Sequence, residues 1–212
     1  MRTQIFETAV RLFYDRGYES TTFESIAAEL GISKSLITYH FKTKLHLAFE
    51  VFEESRYSCI QAVHRRVTAQ YPDTPLEVIP AVFDRVNLRQ MRQDARVIEL
   101  FRATLWAAGH RTEYNNDLYG IYSPDLSRGR SDPHLNRLVT EACRGAALSV
   151  ILSYFDSEPD ERMDYVQFED FRVSIRYLIQ QYPTERTENI ISSSRAIADG
   201  LDIRFLPYFE VE

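Results

Sequence analysis

The side chains best suited to bind another molecule fall within residues 33–46, which read SKSLITYHFKTKLH. This stretch contains no acidic residue and holds every lysine of the chain, namely Lys34, Lys42 and Lys44. Ammonium, hydroxyl and phenol groups at this density can donate hydrogen bonds to phosphate oxygens and to the edges of bases. A solvated helix end with clustered lysines would have the same composition, so the elements that carry these side chains must distinguish the two interpretations.

Two short helices are predicted before this stretch. Apolar residues at helical spacing predict a first helix over 3–16, and Gly17 ends it as a left-handed cap residue would. Thr21 and Glu24 match a capping box, which predicts a second helix of about eight residues. That helix ends at Gly31, which can take the positive φ of a tight turn.

A third helix is predicted from Ser33, which is a good N-cap. Its inward-facing apolar positions are Leu36, Ile37 and Phe41. Because Ala27 is small and precedes the Gly31 turn, the second and third helices can approach closely, as a helix-turn-helix requires. The outward face would then consist of Ser33, Lys34, Ser35, Thr38 and Tyr39. These short polar donors suit the DNA major groove, although a generic helical hairpin would show the same spacing.

The segment IFETAVRLFYDRGYESTTFESIAAELGISKSLITYHFKTKLHLAFEVF resembles the N-terminal DNA-binding domain of the tetracycline-repressor (TetR) family. The resemblance covers about residues 3–52 and is carried, in order, by FYDRGYESTT, IAAELGISK and YHFKTK followed by an apolar residue. It implies three N-terminal helices with a helix-turn-helix, followed by a larger helical ligand-binding domain. It also implies a homodimer that binds a pseudo-palindromic operator and usually represses transcription until a small ligand releases it.

The resemblance implies roles for individual residues on the DNA face. Thr22 would contact a phosphate through its hydroxyl or amide, and Lys34 and Ser35 would face base edges or phosphates. Tyr39 and His40 match the aromatic–histidine pair of the family, and Tyr39 would reach phosphate and sugar. The alternative for His40 is a helix-end histidine whose ring bonds to the backbone.

Two further positions concern the end of this face. Lys44 would hold a phosphate from the start of a fourth helix, where backbone amides also point outward. The chain departs from the family at Thr38, where many members carry tyrosine. The shorter side chain puts the expected base or phosphate contact in doubt, and it could touch a thymine methyl instead.

Composition and charge describe the rest of the chain. With seven glycines and eight prolines among 212 residues and no persistent strand pattern, an all-α fold of about nine helices is predicted. The net charge of −6 argues at first against a nucleic-acid partner, but residues 1–50 hold six basic and six acidic groups. The excess of acid therefore lies beyond them, and local patches rather than totals attract DNA. We expect a helix-turn-helix domain over 1–50 and a ligand-binding and dimerisation domain over 51–212.

Apolar spacing and helix-start signals predict six further helices after the helix-turn-helix. They are expected at 44–70, 75–92, 94–109, 132–155, 158–181 and 184–205. Residues 109–132 have the composition of a long loop, with room for one short helix around 112–121.

Aromatic residues around this loop suggest an apolar pocket for a small organic ligand, with a few polar groups to orient it. The candidate ligand-binding residues are Phe101, Arg102, Leu105, Trp106, His110, Tyr119 and Tyr122. Core packing alone would explain most aromatic residues at such spacing, and this alternative stays open.

The last two helices carry apolar stripes with small residues among them, which suits close contact between copies of the chain. By family resemblance they are the candidate dimer interface, with residues Ile175, Leu178, Ile179, Ile190, Ser194, Ile197, Ala198 and Leu201. A hairpin within one chain could use the same stripes.

Several other classes of protein are disfavoured. The N-terminus lacks the apolar core of a signal peptide, and no apolar run approaches the ~20 residues of a membrane span. Cys59 and Cys143 lie far apart, and the sequence lacks zinc-ligand spacing and the common hydrolase and nucleotide-binding motifs. We therefore expect a cytoplasmic protein that is not an enzyme and has no catalytic residue, metal, cofactor or membrane partner. The alternative is a helical ligand-binding or scaffold protein without operator-binding activity.

Overall fold

The computed structural model describes residues 1–110 and 132–212, with the side chains of residues 105–110 and 133 excepted. These residues form nine α-helices, which confirms the prediction of an all-α fold. The helices are α1 (Arg2–Arg16), α2 (Phe23–Leu30), α3 (Lys34–His40), α4 (Lys44–Gln70), α5 (Ile79–Gln93), α6 (Ala95–His110), α7 (Pro133–Asp156), α8 (Tyr165–Ile179) and α9 (Thr184–Gly200). The short helix predicted around 112–121 lies outside the described residues.

The chain divides into two compact units. The first unit comprises Met1–Ala62, Arg89–Glu113 and Ile203–Glu212, and the second comprises Val63–Leu88 and Tyr114–Asp202. Helices α4 and α5 each begin in one unit and end in the other. The first unit therefore contains α6 and a C-terminal segment in addition to the three N-terminal helices.

The start of α2 differs from the predicted capping box. Thr22, not Thr21, is the N-cap: its hydroxyl accepts the N–H of Ser25 at 3.1 Å, and Ser25 Oγ accepts the N–H of Thr22 at 3.0 Å. Thr21 is fully buried, and its hydroxyl lies within hydrogen-bond distance of two backbone carbonyls at the end of α1. The prediction of a box between Thr21 and Glu24 was therefore wrong, because packing against α1 occupies the Thr21 hydroxyl.

Three other helix ends differ from their predictions because local turns intervene. Helix α5 begins at Ile79, since residues 75–78 form a hydrogen-bonded turn. Helix α8 begins at Tyr165, because the carboxylate of Asp164 accepts the first free N–H groups of that helix. Helix α9 ends at Gly200 rather than at 205, and the chain then enters a hairpin.

This C-terminal hairpin belongs to the first unit. Arg204 and Glu212 exchange both backbone hydrogen bonds, at 2.8 and 2.9 Å. The tight turn places Tyr208 and Phe209 at φ angles of 63° and 66°, a left-handed conformation that is uncommon for residues other than glycine. The hydroxyl of Ser55 on α4 donates to the carbonyl of Phe209 at 2.9 Å, so the hairpin is anchored on α4.

One buried guanidinium joins α5, α8 and α9 of the second unit. The side chain of Arg85 is fully buried and donates to the carboxylates of Glu169 and Asp170, both at 2.7 Å. It also donates to the hydroxyl of Ser194 at 3.0 Å. Removing the guanidinium takes a charged hydrogen bond from a buried carboxylate, which is costly, so Arg85 contributes to the packing of the three helices.

Replacement of Arg85 with methionine should destabilise the second unit strongly, because the buried carboxylate of Glu169 would lose the charged hydrogen bond from Arg85. We expect a loss of about 3–5 kcal/mol in the free energy of unfolding, measured by urea titration at fixed protein concentration. The double variant Arg85→Met/Glu169→Gln should lose less than the single variant. The exposed Arg65, replaced by methionine, is the control. An Arg85→Met variant as stable as this control would contradict the argument.

Candidate nucleic-acid interface

Helix α3 presents a polar face to solvent and an apolar face to α1 and α2. The hydroxyl of Ser33 accepts the N–H of Leu36 at 3.4 Å and so caps the helix as predicted. Ile37 and the following Phe41 are fully buried, and Leu36 is half-buried. The exposed side consists of Ser33, Lys34, Ser35, Thr38 and Tyr39. Tyr39 is 81% exposed, which is far more than a core aromatic residue would be.

The turn between α2 and α3 requires glycine for its backbone conformation rather than for space. Gly31 has a φ of 64°, and a Cβ at this position would meet no atom within 4 Å. The N–H of Ile32 donates to the carbonyl of Ala27 at 3.0 Å and closes the turn. The direction of α3, and with it the direction of its polar face, is fixed by this local geometry.

Thr22 lies exposed at the N-terminus of α2. Its amide donates to Ser25, and its hydroxyl oxygen accepts the amide of Ser25. The predicted phosphate contact of Thr22 would therefore have to come from its O–H group, which is also a hydrogen-bond partner of the Glu24 carboxylate.

The polar face includes a carboxylate that the sequence analysis missed. Glu24, in the first turn of α2, accepts a hydrogen bond from Nζ of Lys34 at 2.5 Å. This hydrogen bond lowers the pKa of the Glu24 carboxyl below its ordinary value, so the carboxylate is charged at neutral pH. Both side chains are exposed, so the pair adds little to stability, but it restrains the ammonium group of Lys34. The signal for this carboxylate in the sequence was an acidic residue in the first turn of α2, the helix that precedes α3.

Thr38 and His40 differ in which of their polar atoms remain available. The hydroxyl of Thr38 donates to the carbonyl of Lys34 at 3.1 Å, so its lone pairs and methyl group remain for a base edge. His40 is half-buried, and its ring stands edge-on to that of Tyr39 with 5.1 Å between the centroids. The two rings form one aromatic pair at the end of α3, with Tyr39 the more exposed member.

Lys44 is held by the turn between α1 and α2. Its Nζ donates to the carbonyl of Tyr18 at 3.0 Å and lies 4.0 Å from the centroid of the Tyr18 ring, which is cation–π geometry. Burial, with a smaller contribution from Glu19, raises the pKa of the Tyr18 phenol, so the ring stays neutral. Thr43 caps α4 by accepting the N–H of His46 at 3.0 Å. The sequence analysis missed Tyr18, whose only signal is an aromatic residue directly after Gly17.

The predicted ligand-binding residues are described only in part. Phe101 on α6 is buried, and its ring centroid lies 5.6 Å from that of Phe52, whereas Arg102 is exposed. The side chains of Leu105, Trp106 and His110, and the whole of Tyr119 and Tyr122, lie outside the described residues. The ligand pocket therefore stays a prediction.

The predicted dimer residues divide by exposure. Buried within the second unit are Ile175, Ile190, Ser194 and Ala198, and half-buried are Ile179, Ile197 and Leu201. Leu178 is the one member of this set that is largely exposed, at 57%. A side chain covered within its own chain cannot contact a second copy. The four buried residues pack within one chain, the other four keep surface that a second copy could contact, and the dimer interface stays a prediction.

Among the described residues of the second unit, most of the exposed large apolar side chains lie on α7 and α8, whereas Leu76 and Met163 are exposed outside these helices. This apolar surface consists of Leu135, Leu138, Val166, Phe171 and Leu178, each between 45% and 66% exposed. Residues 134–156 of α7 are also long and apolar enough to cross a membrane, and 17% of their most apolar window is buried. A single helix of this kind is weak support for a membrane span.

Within 1–110 and 132–212, no group of three or more His, Cys, Asp or Glu side chains could hold a metal ion. Cys59 is fully buried, and burial raises the pKa of its thiol to about 12. The thiol is therefore protonated at neutral pH and is a poor nucleophile.

Comparison with known sequences identifies relatives of the N-terminal part. The family model for bacterial regulatory proteins, tetR family, matches residues 5–51. The HTH-type transcriptional regulator AcrR of Shigella flexneri is 34% identical over 95 residues, which cover 45% of this chain and 44% of AcrR. The negative transcriptional regulator of the biofilm operon icaADBC, IcaR of Staphylococcus aureus, is 34% identical over 59 residues, 28% of this chain and 30% of IcaR. The chain thus matches less than half the length of these curated relatives.

Comparison with solved structures covers nearly the whole chain. RolR without ligand aligns with 97% of this chain and 98% of its own, with a TM-score of 0.62 and 17% identity. RolR in complex with resorcinol aligns with 94% of this chain and 93% of its own, with a TM-score of 0.65 and 16% identity. At this identity the likeness shows that the two proteins share an all-α fold.

Replacement of Glu24 with glutamine should strengthen binding to duplex DNA of any sequence, because it removes a negative charge from the polar face and releases Lys34. We expect a roughly twofold to tenfold gain in affinity for a random duplex at low salt, measured by fluorescence anisotropy. Glu161→Gln, an exposed residue of the second unit, makes the same change in net charge and serves as the control. Equal gains in the two variants would show that total charge, and not the position of Glu24, is responsible.

Proposed function

Because the chain belongs to the tetR family of bacterial regulatory proteins, we propose that it is a transcriptional repressor that binds operator DNA as a homodimer. In this proposal a small organic ligand releases the repressor from its operator. The observation that carries the proposal is the polar face of α3, where Ser35, Thr38 and Tyr39 are exposed while the buried Ile37 anchors the helix.

The polar face can contact both base edges and backbone. Hydroxyl oxygens and a lysine at the start of α3 match the donor and acceptor groups that bases present in the major groove. Thr22 and Lys44, which lie at the N-termini of α2 and α4, are suited to phosphates on either side of that groove. In this arrangement α3 reads sequence, and the two flanking helix starts position it on the duplex.

A homodimer would cover the apolar surface of α7 and α8 defined above. Soluble proteins rarely leave a large apolar patch in water, and in a two-fold dimer the same patch meets its own copy. Leu178 is the residue of the predicted interface that this surface retains. Two recognition helices held about one DNA turn apart, ~34–36 Å, would read the two halves of a pseudo-palindrome.

The ligand in this proposal binds beside α6, where Phe101 and Arg102 would supply an apolar wall and a charge. The shared fold with RolR, whose solved complex holds resorcinol, supports a helical body that can bind a small molecule. A ligand can release the operator only if it binds one spacing of the recognition helices better than the other. A repressor of this kind would act in the cytoplasm.

Binding to the DNA upstream of its own gene should be specific and should weaken steeply with salt. We expect Lys44→Ala to reduce the slope of log affinity against log salt by about 0.9 for each phosphate that is no longer neutralised, measured by fluorescence anisotropy at several salt concentrations. Arg65→Ala, an exposed charge of the second unit, should leave the slope unchanged. Absence of specific, salt-dependent binding by the unmodified chain would favour a scaffold protein without operator-binding activity.

The dimer surface can be tested with a single charge. Leu138 is 66% exposed on α7, and Leu138→Glu should shift the protein from dimer to monomer in sedimentation velocity runs at micromolar concentration. The control is Leu76→Glu, because Leu76 is similarly exposed, at 70%, but lies outside the apolar surface. A dimer that withstands Leu138→Glu but not Leu76→Glu would place the interface elsewhere.

A further inference from the structure

The geometry points to Glu99 of α6 as a positioning residue for Lys44, the predicted phosphate contact. Glu99 would act through the backbone of Tyr18, whose N–H donates to Glu99 and whose carbonyl accepts from Lys44. This inference rests on the proposed function, since it assigns Glu99 a part in operator binding. All three residues belong to the first unit.

The first step is the contact between α6 and the turn that follows α1. The N–H of Tyr18 donates to Oε1 of Glu99 at 2.8 Å. The other carboxylate oxygen of Glu99 accepts a hydrogen bond from Arg96 at 2.7 Å, one turn earlier on the same helix. The carboxylate is therefore held at both oxygens and presents a fixed acceptor to the turn.

The second step is the close approach that Gly17 permits. Gly17 is buried and has a φ of 85°, which residues with a side chain rarely adopt. A Cβ at this position would lie 2.6 Å from Oε1 of Glu99 and 2.8 Å from Nη1 of Arg96. Because a side chain at position 17 would collide with the Glu99 carboxylate, glycine at this position lets that carboxylate reach the Tyr18 amide.

The third step leads from Tyr18 to Lys44. The carbonyl of Tyr18 accepts the N–H of Thr21 at 3.2 Å and Nζ of Lys44 at 3.0 Å, and the Tyr18 ring lies under the same ammonium group. A lysine side chain has four rotatable bonds, so its ammonium group keeps a single position only when neighbouring groups hold it. Here those groups are the carbonyl and the ring of Tyr18. If the hydrogen bond from the Tyr18 amide to Glu99 is lost, α6 no longer restrains the Tyr18 backbone that holds Lys44.

The consequence is a direct link between α6 and the DNA face. Phe101 and Arg102, two predicted ligand-binding residues, follow Glu99 on the same helix. A displacement of this part of α6 would therefore change the placement of the Lys44 ammonium group. Operator affinity would respond through one phosphate contact in each copy of the chain.

The experiment is a double-mutant cycle on the full chain, with operator affinity and its salt slope as readouts. We expect Glu99→Ala to weaken binding by about threefold to tenfold and to reduce the salt slope as Lys44→Ala does. In the Lys44→Ala background, Glu99→Ala should have almost no further effect. Glu7→Ala, an exposed carboxylate of α1, controls for the loss of one negative charge.

Two conservative variants separate geometry from charge and keep the test open if Glu99→Ala unfolds. Glu99→Gln keeps an oxygen that can accept the Tyr18 amide, so it should retain operator affinity relative to Glu7→Gln. Glu99→Asp keeps the charge but is too short to reach that amide, so it should bind as weakly as Glu99→Ala. Equal behaviour of these two variants, or additive losses in the cycle, would overturn the inference. If the unmodified chain bound no operator, the proposed function itself would fail. That result differs from one in which the unmodified chain binds and only the Glu99 variants behave otherwise than expected.

Discussion

The turn at Gly17 and Tyr18 is the constraint on which the first unit depends. It ends α1 with a glycine at a φ of 85°, and the buried hydroxyl of Thr21 hydrogen-bonds the end of that helix. The Tyr18 backbone then contacts α6 through Glu99 and α4 through Lys44. Three helices with distant positions in the sequence meet at two peptide groups, and hydrogen bonds to the backbone hold them there. A change in any of them alters the geometry of the same short turn.

The second unit is organised by buried charge instead. Arg85 on α5 donates to α8 and α9, and the neighbouring Asp84 accepts from Arg172 of α8 at 3.2 Å. Such pairs contribute little net stability compared with apolar residues, but they strongly disfavour any packing that leaves one partner without the other.

The N-terminal helices could be predicted because their signals are local. Ser33 as a cap and Gly31 in a turn act within a few residues, and the buried Ile37 follows from helical spacing. The predictions that failed required knowledge of distant partners. Thr21 matched a cap until α1 occupied its hydroxyl. The dimer interface stays a prediction: Ser194 accepts a hydrogen bond from Arg85, and no spacing rule distinguishes burial within a chain from burial between chains.

The ion pair between Glu24 and Lys34 changes how the acid-free stretch should be understood. Counting along the sequence, residues 33–46 are purely basic, yet folding brings a carboxylate against the first lysine of α3. The polar face is therefore close to neutral at its centre, and positive charge is concentrated beyond the end of α3, at Lys42 and Lys44. If the chain binds DNA as proposed, the centre of this face would attract phosphates weakly, and affinity would come from base contacts, from phosphate contacts at the edge and from the two copies of the proposed dimer. Weak attraction to the backbone lowers binding to non-specific DNA more than binding to a matched site, so it favours selectivity over affinity.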